Sequence, residues 1–271
     1  MLPYFHLSSL ALGPLKIQVW GLFVAAGFLI GLLIARTRAK QAGVKVETVE
    51  NLILWIVIFS LFFSRVFYVL FGGEFGVFLQ KPWLILAIWQ GGMMSTGGFF
   101  GVIVVLIYKK YSFLCHSDPP SANRLSGEES LWPYLDILAY AFPFGWLIGR
   151  IGCFFTHLHP GRLTNSNLGV NFIEGARLDM AILEVLALLP LAILFIIFSK
   201  KQHAAGFYTV WLLLWYGVSR FFLDFFRATD LPLSDARYFN LTVAQWGGIL
   251  LILIGLAMSL RAKRSNLVIS K

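Results

Sequence analysis

Charge is scarce in this chain of 271 residues. Only 13% of them are Asp, Glu, Lys or Arg, about half the share of an ordinary soluble domain. Hydrophobic residues make up 58%, and the two figures together exclude a conventional water-soluble enzyme. Acid is scarcer than base, 13 Asp and Glu against 22 Lys and Arg, for a net charge of +9. In so apolar a chain that surplus points to basic residues gathered at a lipid headgroup layer. No basic stripe lies outside the short polar loops, so nucleic acid is not an expected partner. Cysteine is nearly absent: the two residues, Cys115 and Cys153, fall on opposite faces of the membrane in the topology below, so no disulfide joins them. No repeat of 20–50 residues and no inverted symmetry is visible, which argues against a transporter. No separate soluble domain fits between the apolar runs, and residues 1–271 read as one integral membrane domain.

What is present is a series of seven apolar runs, at about 17–35, 52–71, 83–108, 131–149, 180–198, 207–226 and 241–260, each long enough to cross a bilayer as a helix. The first lacks the positive leader and small-residue cleavage site of a secretory signal and reads as a retained span. Basic residues follow the first run (Arg36, Arg38, Lys40, Lys45), the third (Lys109, Lys110, Arg124), the fifth (Lys200, Lys201) and the seventh (Arg261, Lys263, Arg264). The positive-inside rule therefore places the N-terminus outside and the C-terminus in the cytoplasm. The expected fold is all-α and polytopic, with seven transmembrane helices. It has a flexible cytoplasmic loop at about 109–130 and a longer polar outer loop at about 150–179, a natural place for chemistry or substrate entry.

Four charges lie inside or at the ends of apolar runs: Arg65, Arg220, Asp224 and Arg227. An ionised group at mid-membrane costs about 2.5–3.5 kcal/mol, so something must compensate each of them. Residues 220, 224 and 227 project from one helical face, where the aspartate bridges the arginines and leaves positive charge directed into the bundle. Such a surplus suits an anionic group, and the planar guanidinium matches phosphate oxygens two at a time. For Arg65, Arg150 and Arg227 a second reading stays open, in which each snorkels to the interface and anchors its helix.

Two further stretches stand out. GGMMSTGGFFG, residues 91–101, reads either as close helix packing through Gly97 and Gly101 or as irregular backbone whose N–H groups cradle a headgroup. GRIGCFFTHLHPGR, residues 149–162, is the densest chemistry in the chain. His157 and His159 near Cys153 suggest a metal, but no third ligand follows at a recognised spacing, so no metal is expected. Either histidine is simply solvated in a polar loop or takes a proton near neutral pH. Glu184 in the fifth run reads as a carboxylate satisfied by a neighbouring helix, with an arginine as its partner.

Taken together, GRIG at 149–152 with Gly161 and Arg162 downstream, RVFYVLF at 65–71, GGMMSTGG at 91–98 and YGVSRFFLDFFR at 216–227 resemble the bacterial prolipoprotein diacylglyceryl transferases over nearly the whole chain. The resemblance implies a multi-pass enzyme of the bacterial inner membrane that uses no cofactor. It would move the diacylglyceryl group of phosphatidylglycerol onto the lipobox cysteine of a prolipoprotein signal peptide, forming a thioether and releasing glycerol phosphate. By position Arg150 and Arg220 match the family's two key arginines, Glu184 its fifth-span glutamate, and Asp224 stands where a glutamate is usual. Arg65, Tyr68, Thr96, Gly97, Gly98, Cys153, Arg162 and Arg227 are the further expected substrate-binding residues.

The chain also departs from the family. Thr96 occupies the place of a histidine before the paired glycines, and Gln90 that of an acid. Cys153 and Thr156 replace asparagines, Leu158 replaces a glutamate, and LDMAILE at 178–184 replaces a run like HPSQLYE. The expected mechanism has Arg150 and Arg220 binding the phosphate and carrying its developing charge, Asp224 orienting Arg220, and His157 or His159 accepting the thiol proton in place of the missing histidine. The alternatives are an inactive descendant that binds phospholipid or lipoprotein precursors, and an enzyme with the same lipid donor and another acceptor.

Overall fold

The computed structural model describes residues 1–12, 15–71, 75–86, 92–115, 131–157, 159–172, 174–231 and 237–269. The expectations placed on Gln90, Gly91, Leu158 and the polar stretch 117–130 lie outside them. The chain is mostly helical and divides into two compact units, one of Met1–Arg38 with Trp132–Lys271 and one of Ala39–Leu131.

The larger unit opens with a hairpin, β1 (Ser9–Leu12) against β2 (Leu15–Gln18), which runs into α1 (Val19–Gln41). After Leu131 come α5 (Trp132–Thr156), α6 (Met180–Phe198), α7 (Phe207–Leu223) with a 3-10 turn at Asp224–Phe226, and α8 (Val243–Ile269). The smaller unit holds α2 (Val46–Phe71), the short α3 (Phe75–Gln80), a 3-10 turn at Pro82–Leu86 and α4 (Ser95–Cys115).

Among the described residues six helices are long and apolar enough to cross a membrane: Val19–Gln41, Val46–Leu70, Trp132–Thr156, Met180–Phe198, Phe207–Phe226 and Val243–Leu260. Their outer faces are apolar; Leu29, Phe62, Ile197 and Leu253 are each more than half exposed, an exterior suited to lipid rather than water. The expected third span, 83–108, is not one helix. The 3-10 turn occupies its start, residues 92–94 are neither helix nor strand, with Gly92 left-handed at φ +72°, and α4 begins at Ser95. The apolar helical stretch that remains is the shorter Gly97–Lys109.

The fourth run shows the opposite error. Hydropathy ends it at Gly149, where Arg150 begins the expected outer loop, but α5 continues to Thr156. Arg150 and Cys153 are therefore helical residues. The remainder of the expected loop folds into a three-stranded antiparallel sheet in the order β3 (Pro160–Leu163), β5 (Gly175–Asp179), β4 (Gly169–Phe172).

Glycine sets the helix spacing in the larger unit. A Cβ on Gly27 would lie 2.5 Å from the Gly145 carbonyl oxygen, and one on Gly217 2.8 Å from that of Gly248, so α1 meets α5 and α7 meets α8 backbone to backbone. Between α5, α6 and α7 the core is aromatic and aliphatic, with Tyr140, Leu188, Leu191, Phe195, Tyr208 and Tyr216 in mutual contact. Asp136 on α5 accepts hydrogen bonds from the Gly206 and Thr209 amides, at 2.7 and 2.9 Å, and from the Thr209 hydroxyl. It thereby caps the first turn of α7 from a neighbouring helix.

Candidate active site

Three helices of the larger unit deliver the charged groups to one place. Arg150 comes from α5, Glu184 from α6 and Arg220 from α7, with Asp224 and Arg227 one and two turns beyond Arg220. The Glu184 carboxylate is buried and bridges the two arginines: Arg150 Nε lies 2.6 Å from its Oε2 and Arg220 Nη1 2.6 Å from its Oε1. Trp146, one turn before Arg150, donates its indole N–H to the same Oε2 at 3.4 Å and offers its ring face to the Arg150 guanidinium at 5.1 Å. Asp224 is fully buried and holds the other pair, with Arg220 Nη2 at 3.5 Å and Arg227 Nε at 2.8 Å from its Oδ1.

Asp224 Oδ2 accepts from the Thr242 hydroxyl. Thr242 and Gln245 form a capping box at the start of α8, the Thr242 amide donating to Gln245 Oε1 at 2.9 Å and the Gln245 amide to Thr242 Oγ1 at 3.1 Å. Within this cluster three guanidiniums face two carboxylates, which leaves one positive charge in a low-dielectric setting. Guanidiniums gathered in this way can attract an anion. Beside it lies a gap of about 10 Å³, lined by Glu184, Ala187, Tyr216, Ser219 and Arg220 among others, with room for about one water.

Neither histidine is fully exposed, against one of the two expectations. His159 follows the end of α5 and is partly buried. Burial, and behind it the fields of Arg150, Arg227 and Arg220, push its pKa down to about 3, so the imidazole is neutral at physiological pH. His157 is elsewhere: its ring is buried, Nδ1 lies 2.7 Å from Asp179 Oδ2, and Tyr4, Phe5, Phe154 and Phe172 surround it with ring centres 5.1–5.4 Å away.

Cys153 is a buried free thiol one turn beyond Arg150, whose Nη1 lies 3.9 Å from Sγ. Arg162 is exposed, its guanidinium over the Phe226 ring at 4.6 Å. Gly161 lets β3 approach the segment that carries Arg227: a Cβ there would meet the Leu178 and Phe226 carbonyl oxygens at 2.8 Å. Next to this contact the buried Arg177 grips Asp230 with two hydrogen bonds, at 3.0 and 2.6 Å. The guanidinium holds the Asp230 carboxyl below the usual range. Among the described residues no three His, Cys, Asp or Glu side chains gather into a metal site.

In the smaller unit Arg65 does not snorkel. It is buried, and it donates to three backbone carbonyls, Nη2 to Leu84 at 2.5 Å, Nη1 to Gly92 at 2.8 Å and Nε to Ile85 at 3.0 Å, with Tyr68 beside it. It therefore ties α2 to the chain at residues 84, 85 and 92. Three of the N–H groups in residues 91–101 are engaged within the fold and do not serve as a cradle: Gly97 and Gly98 both donate to the Met94 carbonyl, and Met94 to that of Ser64. Close packing is what the glycines serve, since a Cβ on Gly97 would lie 2.2 Å from the Phe63 carbonyl oxygen and one on Gly101 2.6 Å from that of Phe59. Thr96 falls in the first turn of α4.

Sequence reasoning missed Trp146, Thr242, Gln245 and Asp179. Two of these carried a signal, because TVAQ at 242–245 is a capping-box pattern. The others lie in apolar or unremarkable surroundings and gain meaning only through contacts between helices.

The chain was also compared with known proteins. The family described as prolipoprotein diacylglyceryl transferase matches residues 8–261. Similar relatives include three proteins named phosphatidylglycerol–prolipoprotein diacylglyceryl transferase. That of Oleidesulfovibrio alaskensis is 34% identical over 94% of each chain. That of Pasteurella multocida is 32% identical over 97% of this chain and 94% of its own, and that of Staphylococcus carnosus 29% identical over 95% and 90%. With the family matched over almost its full length, this chain belongs to the prolipoprotein diacylglyceryl transferases.

Proposed function

We propose that the buried charge cluster binds the phosphate of phosphatidylglycerol and that the protein transfers its diacylglyceryl group to the lipobox cysteine of prolipoproteins in the inner membrane. The observation that carries this reading is the Glu184 bridge. It sets Arg150 and Arg220, from two different helices, against one carboxylate at 2.6 Å each, so that an anion entering beside it meets both forks.

The acceptor S–H loses its proton, the sulfur attacks the glycerol carbon that carries the phosphate, and the C–O bond to that phosphate breaks. Its electron pair stays with the departing glycerol phosphate, whose growing charge the arginines stabilise. The thiol proton goes to His159 and from there to the leaving phosphate. His159 suits this role because it lies in the field of the arginines and is neutral. Burial is the main cause of its lowered pKa and the arginine fields add to it; a bound phosphodiester offsets the second contribution, so the base gains strength when the donor lipid is in place. His157, enclosed in its aromatic surroundings with Nδ1 committed to Asp179, is not assigned the proton. Cys153 lies against Arg150, and Arg65, with Tyr68 beside it, holds the carbonyls of Leu84, Ile85 and Gly92.

The deciding experiment supplies the purified protein in vesicles with phosphatidylglycerol labelled in its acyl chains and with a lipobox peptide. Label should appear on the cysteine with one glycerol phosphate released per transfer. Lipid binding without transfer would leave a binding protein instead.

The topology belongs to the same proposal, with α4 as a further crossing that makes seven, the N-terminus outside and the C-terminus in the cytoplasm. The alternation of Lys- and Arg-rich connections supports it. Reporters after Lys110 and after Lys271 should read cytoplasm and one near Asn167 periplasm; a cytoplasmic signal at Asn167 defeats this arrangement.

A further inference from the structure

His157 stands directly after the last residue of α5 with a left-handed backbone, φ +43°. Glycine takes that position without cost, and a side chain there must be compensated by what it touches. What His157 touches is Asp179. Nδ1 lies 2.7 Å from Oδ2, and both side chains are almost wholly buried. Asp179 in turn is the N-cap of α6, its Oδ1 accepting from the Ala181 and Ile182 amides at 2.8 and 3.4 Å. The pair therefore joins the end of α5 to the beginning of α6. His157 Nε2 has no hydrogen-bond partner among the described residues, so the Asp179 bond is the polar contact that this ring makes in them.

The position of the pair gives it a consequence. Arg150 lies seven residues before His157, two turns or about 10 Å back along α5, and Glu184 five residues beyond Asp179 on α6. The two helices are clasped twice, by Arg150–Glu184 at the charge cluster and by His157–Asp179 beyond it. The inner clasp consists of groups that must also meet a substrate phosphate, so its geometry is open to change when lipid enters and leaves. The outer clasp contains no such group.

We propose that His157 and Asp179 are a positioning pair that fixes α5 against α6, so that the Arg150 and Arg220 guanidiniums converge on Glu184 at the spacing a phosphate needs. The inference rests on the arginine cluster being the phosphate site. It assigns His157 no proton transfer.

The test compares His157→Asn, His157→Gly and Asp179→Ser in vesicles, following kcat and KM for phosphatidylglycerol together with equilibrium binding of the lipid. Asparagine tolerates the left-handed backbone and donates to Asp179 from its amide, so His157→Asn should stay within about threefold of wild type. Glycine fits the backbone but donates nothing, and serine keeps the α6 cap but does not reach His157. Both should lose about tenfold to a hundredfold in kcat/KM, mostly through KM, and bind the lipid correspondingly more weakly. Wild-type behaviour in both His157→Gly and Asp179→Ser overturns the proposal. So does a loss in His157→Asn as deep as in His157→Gly with KM unchanged, which would make His157 the base. Should the wild-type protein bind phosphatidylglycerol and transfer nothing, the transfer reading falls, while the same ordering of lipid affinities still decides the role of the pair.

Discussion

Arg220→Lys will cost nearly as much transfer as Arg220→Ala, about 10²–10³ in kcat/KM. The guanidinium addresses two carboxylates at once, with Nη1 2.6 Å from Glu184 and Nη2 3.5 Å from Asp224. A planar fork can span two acceptors and still present an edge to a phosphate, whereas an ammonium is a single point of charge on a flexible stem. Lysine keeps the charge count of the cluster but breaks the link between its two halves, Arg150–Glu184 on one side and Asp224–Arg227 on the other. The measurement is kcat/KM for both variants beside phosphatidylglycerol affinity. A lysine variant with near wild-type values of both would mean that charge alone suffices, and the bidentate phosphate geometry would have to be abandoned.

Spacing along one helix made part of this cluster legible before any coordinates. Residues 220, 224 and 227 share a face, and the structure has Asp224 between the two arginines as that spacing requires. The link to Glu184 was legible only as a type, a buried carboxylate in want of an arginine, because the choice of partner depends on how α5, α6 and α7 meet. Arg150 shows why hydropathy misplaces a candidate site residue: the charge that ends an apolar run in a sliding window is, in the fold, compensated by Glu184 from α6 and by Trp146 one turn earlier on its own helix. The sheet at 160–179 escaped notice because its strands are four or five residues long and buried and exposed residues do not alternate along them. The glycines at 97 and 101 had two readings open to them, and only the backbone of α2 at 2.2 and 2.6 Å decides in favour of packing.

The proton carries the second large effect. His159→Ala should lower turnover by about 10²–10⁴, the range for a lost general base, and leave phosphatidylglycerol binding nearly unchanged, since phosphate recognition by arginines does not need the imidazole. The pH profiles should differ in shape as well as height. An ordinary histidine base would lose activity as pH falls through about 6.5. Burial and the three arginines hold His159 at about 3, so kcat/KM of the wild type should show no such limb and stay level from about pH 4 upward until the thiol begins to ionise near 8.5. The alanine variant has no acceptor and depends on thiolate formed in solution. Its rate should rise about tenfold per pH unit across that range and approach the wild type as pH nears 8.5. A variant that transfers at the wild-type rate at pH 6 removes His159 from the mechanism while leaving the arginine cluster intact. A wild-type limb at about 6.5 would mean that the proton goes to a group other than His159.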